Sequence, residues 1–272
     1  MPAIILIRGG GDLASGVALR LHRVGLGVVL TELAQPLAVR RLVSFAEAVY
    51  TGETTIEGVT GRRVNDPGDS LKVLQLLSKG RIPVLIDAEA KSAQLLHPTV
   101  IVDARMTKHP PEPLRHTARL YIGLGPGFVA GESCHAVIET RRGHRLGRVI
   151  WEGAAEEDTG TPAEIAGGSS GRVLRAPADG KLIPLVQIGE RVQSGQTVGE
   201  VGRQPITAPF QGVLRGMIHP DCPVKQGMKI GDVDGRDDPA ICSLVSDKSL
   251  AIGGGVLEAI LSRPEVRQNL WK

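Results

Sequence analysis

Residues 4–16, near the amino terminus, constrain the fold of this chain more than any other stretch. An apolar run at residues 4–7 leads through Arg8 into three consecutive glycines, and helical periodicity begins directly after them. This order predicts a strand, a tight turn and a helix. Because glycine has no Cβ, the turn can adopt positive φ angles and bring its N–H groups close to an anion, and the helix start adds unpaired donors. The stretch therefore predicts an anion-binding loop in an α/β protein.

The residues expected to hold the anion come from this loop and from the end of the next predicted strand. Glu32 lies 21 residues after Gly11, where an acidic side chain in a dinucleotide-binding fold accepts the ribose hydroxyls and favours NAD over NADP. The candidate set is Gly9, Gly10, Gly11, Asp12, Ser15 and Glu32. A second interpretation stays open, in which the glycines only allow the strand and the helix to pack closely.

Short apolar segments alternate with helical ones over the first half of the chain. This alternation predicts a Rossmann-like, mostly parallel sheet that is covered on both faces. The predicted strands are residues 4–7, 28–32, 83–87, 99–103 and 120–123. Residues 33–64 fit neither the helical nor the strand period and are assigned as mixed structure.

Two helices are predicted beside these strands. The first covers residues 12–24, and Asp12 is expected to cap its start. The second opens at Asp66-Pro67. Its buried face is expected to hold Leu71, Leu74 and Leu77.

A second glycine-rich turn, at residues 123–128, follows the last of these strands at the expected carboxyl edge of the sheet. Ligands of open α/β sheets bind at that edge, so Gly125 and Gly127 join the candidate binding residues. Asp87 and Asp103 end their strands at the same edge. They are expected either to contact a ligand or to cap the turns that follow.

Beyond residue 171 the chain repeats itself with a spacing of 32 residues. The repeated positions are Ala-Pro pairs, glycines and apolar residues, namely Ala176-Pro177 and Ala208-Pro209, Gly180 and Gly212, Leu182 and Leu214, Val192 and Val224, Gly195 and Gly227, Gly199 and Gly231, and Val201 and Val233. Two copies of one β unit, neither able to bury its own apolar face, are expected to pack on each other. The pattern resembles the paired halves of biotinyl/lipoyl-like domains. The joint at residues 202–205 lacks the lysine of carrier domains, so we expect a structural or docking barrel.

The chain is thereby divided into four parts. They are a Rossmann-like α/β domain at 1–159, a linker at 160–171, a β barrel of two repeats at 172–235, and a C-terminal segment at 236–272 that packs on the first domain. In the last part, Gly253, Gly254 and Gly255 are expected to form a second glycine loop before a helix at residues 256–261. The alternative is a tight start to a helix that packs back on the first domain.

Three side chains are candidates for catalysis. Arg142 and His144 lie in a polar turn, where the arginine could hold a phosphate or carboxylate and the histidine could transfer protons near neutral pH. Cys134 lies near the second glycine-rich turn. A surface hairpin and an inert core cysteine are the competing interpretations. No His, Cys, Asp and Glu residues have metal-ligand spacing, and the sequence has no nucleophile elbow.

The composition argues against several classes of function. The 32 basic and 29 acidic residues are interspersed and aromatic residues make up 3%, which does not suit a nucleic-acid-binding protein. No stretch approaches the roughly 20 apolar residues of a membrane span. The three cysteines indicate neither a disulfide framework nor a zinc site. We therefore expect a cytoplasmic protein without a membrane or nucleic-acid partner.

Five groups of residues occur in a fixed order nearly from end to end. They are residues 8–16, Glu32 with Gln35-Pro36 and Arg40-Arg41, residues 123–128, Glu139-Thr140 with residues 142–144, and residues 246–248 with 253–259. Together they resemble the YqeB-type accessory proteins of selenium-dependent molybdenum hydroxylases. The chain departs from the family pattern at Ala163 and Gly235.

The resemblance implies a maturation factor that holds a nucleotide or the molybdopterin-type cofactor and acts on a molybdenum hydroxylase subunit. Two other functions stay open. The loop and Glu32 would serve a redox cofactor in an NAD(P)-dependent oxidoreductase, and the loop would be empty in a non-catalytic scaffold. A homo-oligomer is also compatible with the sequence.

Overall fold

The computed structural model describes residues 3–107, 112, 117–157 and 171–271. It has a mixed α/β fold with one large, mostly parallel sheet and additional antiparallel sheets. The strands of the large sheet are β1 (Ile4–Arg8), β2 (Gly27–Glu32), β3 (Glu53–Ile56), β4 (Val59–Val64), β5 (Ile82–Ile86), β6 (Val100–Asp103), β7 (Leu120–Leu124), β9 (Ala136–Ile138) and β10 (Val149–Ile150). Their spatial order is β10-β9-β7-β6-β1-β2-β5-β4-β3, and only the pairs at the two ends of the sheet are antiparallel.

The helices are α1 (Asp12–Arg23), α2 (Ala48–Thr51), α3 (Ser70–Ser78), α4 (Ala93–Leu96), α5 (Asp247–Leu261) and α6 (Pro264–Arg267). In the described part of the chain, complete 3-10 turns lie at Arg41–Val43, Phe45–Glu47 and Pro239–Cys242. Alternate residues of β1 face the two sides of the sheet. Ile5 and Ile7 pack in one hydrophobic core with residues of α1 and α5, and Ile4 and Leu6 pack in a second core with residues of α3. The sheet is therefore covered on both faces.

The chain changes direction across the sheet between β1 and β6. It leaves β1 through α1 and enters β2 on one side, whereas β6 is followed by β7 on the other side. Arg8, at the end of β1, pairs in register with Asp103, at the end of β6. Crevices at such a point, outside the carboxyl ends of parallel strands, are where open α/β sheets bind ligands.

Helix α3 differs from its prediction in where it begins and in which side chains it buries. It starts at Ser70, after an N-cap at Asp69 whose carboxylate accepts the N–H of Lys72 at 2.9 Å. Val73 and Leu76 are its buried residues, and Leu71 is 79% exposed. The predicted buried face of Leu71, Leu74 and Leu77 is therefore wrong for Leu71. The other two leucines are only partly buried, because the buried stripe is centred on Val73 and Leu76.

The mixed stretch at residues 33–64 contains α2 and a hairpin formed by β3 and β4. The hairpin turns at Glu57 and Gly58, both with positive φ angles. Strand β3 has the sequence Glu-Thr-Thr-Ile and lies at the edge of the sheet, so it carries too few apolar residues to produce a clear period-2 pattern.

Helix α5 contains the three glycines that were expected to form a loop. Gly253, Gly254 and Gly255 lie inside the helix, so the prediction of a second glycine loop is wrong. A Cβ at Gly253 would lie 2.9 Å from the carbonyl oxygen of Gly16 in α1, and one at Gly255 would overlap the carbonyl oxygen of Gly147. These glycines let α5 pack closely on α1 and on the chain near Gly147, as in the alternative interpretation.

The repeated region forms two four-stranded antiparallel sheets around one hydrophobic core. We refer to residues 172–235 as the two-sheet module. Its strands are β12 (Val173–Arg175), β13 (Gly180–Pro184), β14 (Arg191–Val192), β15 (Thr197–Val201), β16 (Gln204–Thr207), β17 (Gly212–Met217), β18 (Pro223–Val224) and β19 (Lys229–Asp234). A short two-stranded sheet, β8 (Val129–Ala130) with β11 (Gly153–Ala154), completes the described strands.

The two repeats exchange strands. The sheets have the orders β12-β19-β17-β14 and β16-β15-β13-β18, so each sheet takes two strands from each repeat in equivalent positions. The backbone bonds repeat as well. Gly195 donates to the carbonyl of Ala208 at 2.8 Å, and Gly227 donates to the carbonyl of Ala176 at 2.8 Å. The biotinyl/lipoyl-like barrel and the four domain boundaries stay predictions, and the linker lies outside the described residues except for Gly171.

One described helical stretch, Pro239–Leu261, is long and apolar enough to cross a membrane, contrary to the expectation that no such stretch exists. It combines a 3-10 turn with α5. Ile252 and Val256 of α5 are buried in the core shared with α1. A core helix has the same composition as a membrane span, so this stretch is weak evidence for a membrane segment.

Candidate functional site

The glycine loop between β1 and α1 has only part of its backbone free. Gly9 has a φ of +98° and donates its N–H to the carbonyl of Thr31 at 2.7 Å. Gly10 donates its N–H to Glu32 Oε2 at 2.7 Å. A Cβ at Gly11 would meet no atom within 4 Å, and no side chain caps the start of α1. The space available to an anion at this loop therefore lies over Gly11 and the first turn of α1.

Glu32 closes one side of the loop. Its Oε2 accepts from Gly10, and its Oε1 accepts the N–H of Leu33 at 2.7 Å. Burial raises the pKa of Glu32 above its ordinary value, although both backbone hydrogen bonds act in the opposite direction. The expected contact with ribose hydroxyls stays a prediction. It requires Glu32 to leave Gly10 or to bind the ligand with its remaining lone pairs.

Ser15 and Asp12 bind protein groups. The buried Ser15 hydroxyl donates to the carbonyl of Gly10 at 3.1 Å and accepts the N–H of Phe45 at 2.8 Å. Asp12 accepts from Arg40 Nη1 at 2.9 Å and from Ser249 Oγ at 2.8 Å. The N-cap of α1 is Gly11, so the expected capping role of Asp12 is wrong. Its carboxylate is directed to Arg40 and α5 instead of to the backbone of its own helix.

A charged cluster lies beside the loop at the ends of β1 and β6. The fully buried carboxylate of Asp103 accepts from Arg105 Nε at 2.9 Å and Nη2 at 2.7 Å, and from the Tyr121 hydroxyl at 2.7 Å. Burial and the neighbouring Asp103 raise the pKa of Tyr121. Asp103 therefore acts as the acceptor at the centre of this cluster.

Arg8 is the least satisfied member of the cluster. It is 4% exposed, its Nη1 lies 3.3 Å from Asp103 Oδ2, and its buried Nε has no hydrogen-bond partner. Two guanidinium groups thus share one carboxylate, and Arg105 holds that carboxylate at shorter distances. The switch point between β1 and β6 therefore carries one positive charge without a full partner.

The sequence prediction did not include Arg8 and Arg105 among the binding residues. For Arg8, the available signal was its position as a charged residue at the end of an apolar strand. The partner of Arg8, Asp103, is 95 residues away in the sequence. Asp87, in contrast, accepts the N–H groups of Lys91 and Ser92 at 3.0 and 2.8 Å. It caps a turn, as one of its two interpretations stated.

The turn after β7 approaches the same edge through its glycines. Gly125 has a φ of +78°, and a Cβ there would lie 2.8 Å from Thr140 Oγ1. A Cβ at Gly127 would overlap the carbonyl oxygen of Thr107. Among the described residues, the buried Thr107 hydroxyl has no hydrogen-bond partner, so this edge holds a second unsatisfied polar group in addition to Arg8.

The three candidate catalytic residues have different surroundings. Cys134 is buried in the core, and burial raises the pKa of its thiol to about 11, which does not favour a thiolate nucleophile. Arg142 forms two hydrogen bonds to Asp247, at 2.6 and 2.8 Å. His144 is exposed in the loop between β9 and β10. Within the described residues, no hydrogen bond or ion pair joins the three side chains.

Metal binding has no evident location in the described parts of the chain. No group of three or more His, Cys, Asp and Glu side chains there is arranged to hold a metal ion. The sheet edge carries the guanidinium groups of Arg8 and Arg105, which are hydrogen-bond donors and suit an anion.

One bacterial protein is similar in sequence to most of this chain. YqeB of Escherichia coli (strain K12), an uncharacterized protein, is 45% identical over 258 residues, which are 95% of this chain and 47% of the relative. The chain is similar in sequence to YqeB. It spans about half the length of the curated relative it matches. The sequence matches no protein-family model.

Solved structures give weaker similarities to this chain. An aspartoacylase family protein from Mesorhizobium loti is 10% identical, with a TM-score of 0.27 over 85% of this chain and 84% of that protein. A succinylglutamate desuccinylase/aspartoacylase from Rhodobacter sphaeroides is 14% identical, with a TM-score of 0.25 over 85% of each chain. TM-scores this low do not establish a shared fold.

Proposed function

We propose that the chain is a maturation or accessory factor for a molybdenum hydroxylase and binds a phosphate-bearing ligand at the carboxyl edge of β1, β6 and β7. The ligand is a nucleotide or the molybdenum cofactor. The observation that carries the proposal is Arg8, a buried guanidinium with an unpartnered Nε at the switch point of the sheet. The hydroxylase partner rests on the motif resemblance alone, and the cytoplasmic location rests on the composition of the sequence.

The electrostatics of the edge favour an anion. An uncompensated buried charge costs about 3–5 kcal/mol when it has lost its partner. A phosphate or carboxylate bound to Arg8 would offset this cost, and guanidinium groups bind such anions with two parallel hydrogen bonds. At the same edge, the Thr107 hydroxyl would form a further hydrogen bond to the ligand, and the open space over Gly11 would hold part of it. Gly9, Gly10, Gly125 and Gly127 shape the backbone around the ligand.

The finer fold assignments belong to the same proposal. The order β5-β2-β1-β6-β7 matches the central part of a Rossmann-like sheet, in which both halves meet at the first strand. The strand exchange in the two-sheet module supports a biotinyl/lipoyl-like barrel. Its joint, residues 202–205, has no lysine, so the barrel would dock the hydroxylase subunit or a second copy of the chain.

Titration calorimetry with ADP, NAD⁺ and isolated molybdenum cofactor tests the proposal. At least one of them should bind the wild-type protein, and Arg8→Gln should weaken that binding at least about tenfold, which corresponds to ~1.4 kcal/mol. Arg8→Lys keeps the charge and should retain part of the affinity. Arg191→Gln, which changes an exposed arginine of the two-sheet module, is the matched control and should bind normally.

The stability of Arg8→Gln separates a binding role from a structural role. Asp103 keeps Arg105 and Tyr121 in this variant, so the variant should stay folded, and its cooperative unfolding in denaturant checks this. Absence of binding of all three ligands to the wild-type protein would contradict the proposal, as would unchanged binding to Arg8→Gln.

A non-catalytic scaffold is the second candidate, and one observation favours it. A Cβ at Gly10 would lie 2.9 Å from the backbone nitrogen of Ala46, so this glycine is required for packing even without a ligand. For a scaffold, calorimetry would detect no ligand, and hydroxylase maturation would not depend on Arg8. NADH turnover in the same samples would indicate the NAD(P)-dependent oxidoreductase instead.

A further inference from the structure

A basic groove lies between α3 and the neighbouring strands, on the side of the sheet that ends with β3. Its volume is about 280 Å³. Arg62 projects from β4, Arg81 directly precedes β5, Lys72 lies in α3, and Lys79 is the C-cap residue directly after α3. The remaining lining residues are Gln75 and the buried Leu76. Four cations from three elements thus line one hollow, and none of its described lining residues is acidic.

One carboxylate offsets part of this charge. Glu53 Oε2, on the edge strand β3, lies 3.3 Å from Arg62 Nη1 and 3.3 Å from Arg81 Nη1. It holds the two guanidinium groups beside the groove, and each keeps further N–H donors for another acceptor. Lys72 and Lys79 are exposed. The four cations and Glu53 carry a net charge of +3, which equals the formal net charge of the whole chain.

A second hollow of about 380 Å³ shares Arg62 with the first. Glu53, Arg63 and Asn65 are among its lining residues. Arg63 donates to the carbonyl of Val49 at 2.6 Å, so its position is fixed by the backbone of α2. Because successive side chains of a strand point to opposite faces of the sheet, Arg63 does not add its charge to the basic groove.

Protection of the sheet edge does not account for this arrangement. Charged side chains on edge strands prevent pairing with other chains, and Arg62 and Arg81 are near such an edge. Lys72 in α3 and Lys79 at its C-cap, however, are not on a strand and cannot block strand pairing. Lys72 is also in the first turn of α3, where the helix dipole disfavours a cation. The groove therefore concentrates positive charge at a local electrostatic cost.

We propose that this groove binds a small, multiply charged anion of the oligophosphate class, such as a diphosphate or triphosphate group. Exposed charges are screened beyond about 8 Å at physiological ionic strength, so a single charge would bind weakly. A chain of phosphates can contact the arginines and both lysines at once. Arginine forks and lysine ammonium groups are the side chains that bind phosphate oxygens.

Calorimetric titration with inorganic pyrophosphate and tripolyphosphate tests this site. Wild-type protein should bind tripolyphosphate more tightly than orthophosphate, and affinity should fall as the salt concentration rises. Lys79→Glu, alone and combined with Lys72→Glu, should weaken binding by about tenfold or more, the equivalent of ~1.4 kcal/mol. Both lysines are exposed, so the variants should fold as the wild type does. Lys181→Glu reverses an exposed charge on the two-sheet module and is the matched control.

The outcomes separate this site from the sheet edge. Lys79→Glu should lose tripolyphosphate binding and keep any binding of nucleotide or molybdenum cofactor, whereas Arg8→Gln should do the reverse. Equal affinities for the wild type, Lys79→Glu and Lys181→Glu would mean an adventitious ion only and would overturn the proposal. Loss of tripolyphosphate binding in Arg8→Gln alone would place the anion at the sheet edge and would also overturn it.

Discussion

At the scale of single residues, the edge of the sheet combines two kinds of buried charge. The Nε of Arg8 lacks a hydrogen-bond acceptor. Glu32 accepts backbone N–H groups on both carboxylate oxygens, but its burial disfavours the charged form. The two groups lie at the ends of neighbouring strands, β1 and β2. The edge is therefore arranged so that added negative charge is favourable near Arg8 and less favourable near Glu32.

Glu32 should give the protein a characteristic pH dependence. Burial raises its pKa in the folded state, so the folded protein binds this proton more tightly than the unfolded chain does. The stabilisation that this proton gives is fully present below the pKa of Glu32 in the unfolded chain. It is lost as the pH rises through the pKa of Glu32 in the folded protein. The free energy of unfolding of wild type relative to Glu32→Gln should therefore decrease as the pH is raised from about 4, the ordinary pKa of a glutamate side chain, towards neutral. Denaturant titrations of both proteins across this range measure the difference, and an increase would contradict the assignment.

The residue scale also shows what sequence reasoning could find. The loop glycines and Glu32 were found because local spacing marks them. Arg8 was not predicted as a binding residue, because its importance depends on which strand lies beside β1. Strand order is a non-local property, and Asp103 becomes the partner of Arg8 only once β6 pairs with β1.

At the scale of elements, the packing of α1 on α5 explains why residues 253–255 are glycines, although their sequence is typical of a ligand-binding loop. Three consecutive glycines have poor helix propensity, yet they lie inside α5. A Cβ at Gly16 would lie 2.5 Å from Ser249 Cβ, so the two helix backbones are close. Tertiary packing overrides local propensity here, and for this reason the sequence pattern was misleading. The central strands were predicted within about two residues because their apolar runs are buried on both faces.

Two glycine-to-alanine changes should have opposite effects on stability. Gly16→Ala should lower the free energy of unfolding by about 1–3 kcal/mol or more, because the helices must separate to admit the methyl group. Gly254→Ala changes a residue of α5, the helix that packs on α1, and the added Cβ would meet no atom within 4 Å. It should raise stability by about 0.5–1 kcal/mol through helix propensity. Thermal and urea unfolding measure both, and similar losses in the two variants would contradict the close-packing explanation.

At the scale of the whole molecule, the two repeats are equivalent in sequence but not in environment. Gly216 in β17 faces the carbonyl oxygen of Val39, and the carbonyl of Met217 accepts from Arg41 Nε at 2.8 Å. The position in the first repeat that corresponds to Gly216 is Pro184, which is exposed. The repeat predicted paired β units, but it carried no information on which copy would contact the first half of the chain.

The contact at Gly216 should be sensitive to a single methyl group. A Cβ there would lie 2.8 Å from the carbonyl oxygen of Val39 and 3.0 Å from Asp232 Oδ1. Gly216→Ala should therefore destabilise the protein by about 1–3 kcal/mol and increase amide exchange around Arg41. Pro184→Ala is the matched control at the equivalent exposed position and should leave exchange at Arg41 unchanged. Equal exchange in both variants would show that the repeat does not dock here.

The central claim is that the switch point beside Arg8 holds a phosphate-bearing ligand. Native mass spectrometry of the protein purified from its own cells tests it most directly, because a retained ligand is identified by its mass. The predicted result is a non-covalent adduct with the mass of a nucleotide or the molybdenum cofactor in the wild-type protein, and its loss in a folded Arg8→Gln variant. An adduct that persists in Arg8→Gln, or a bare wild-type chain that also fails to bind added nucleotide or molybdenum cofactor, would contradict the account.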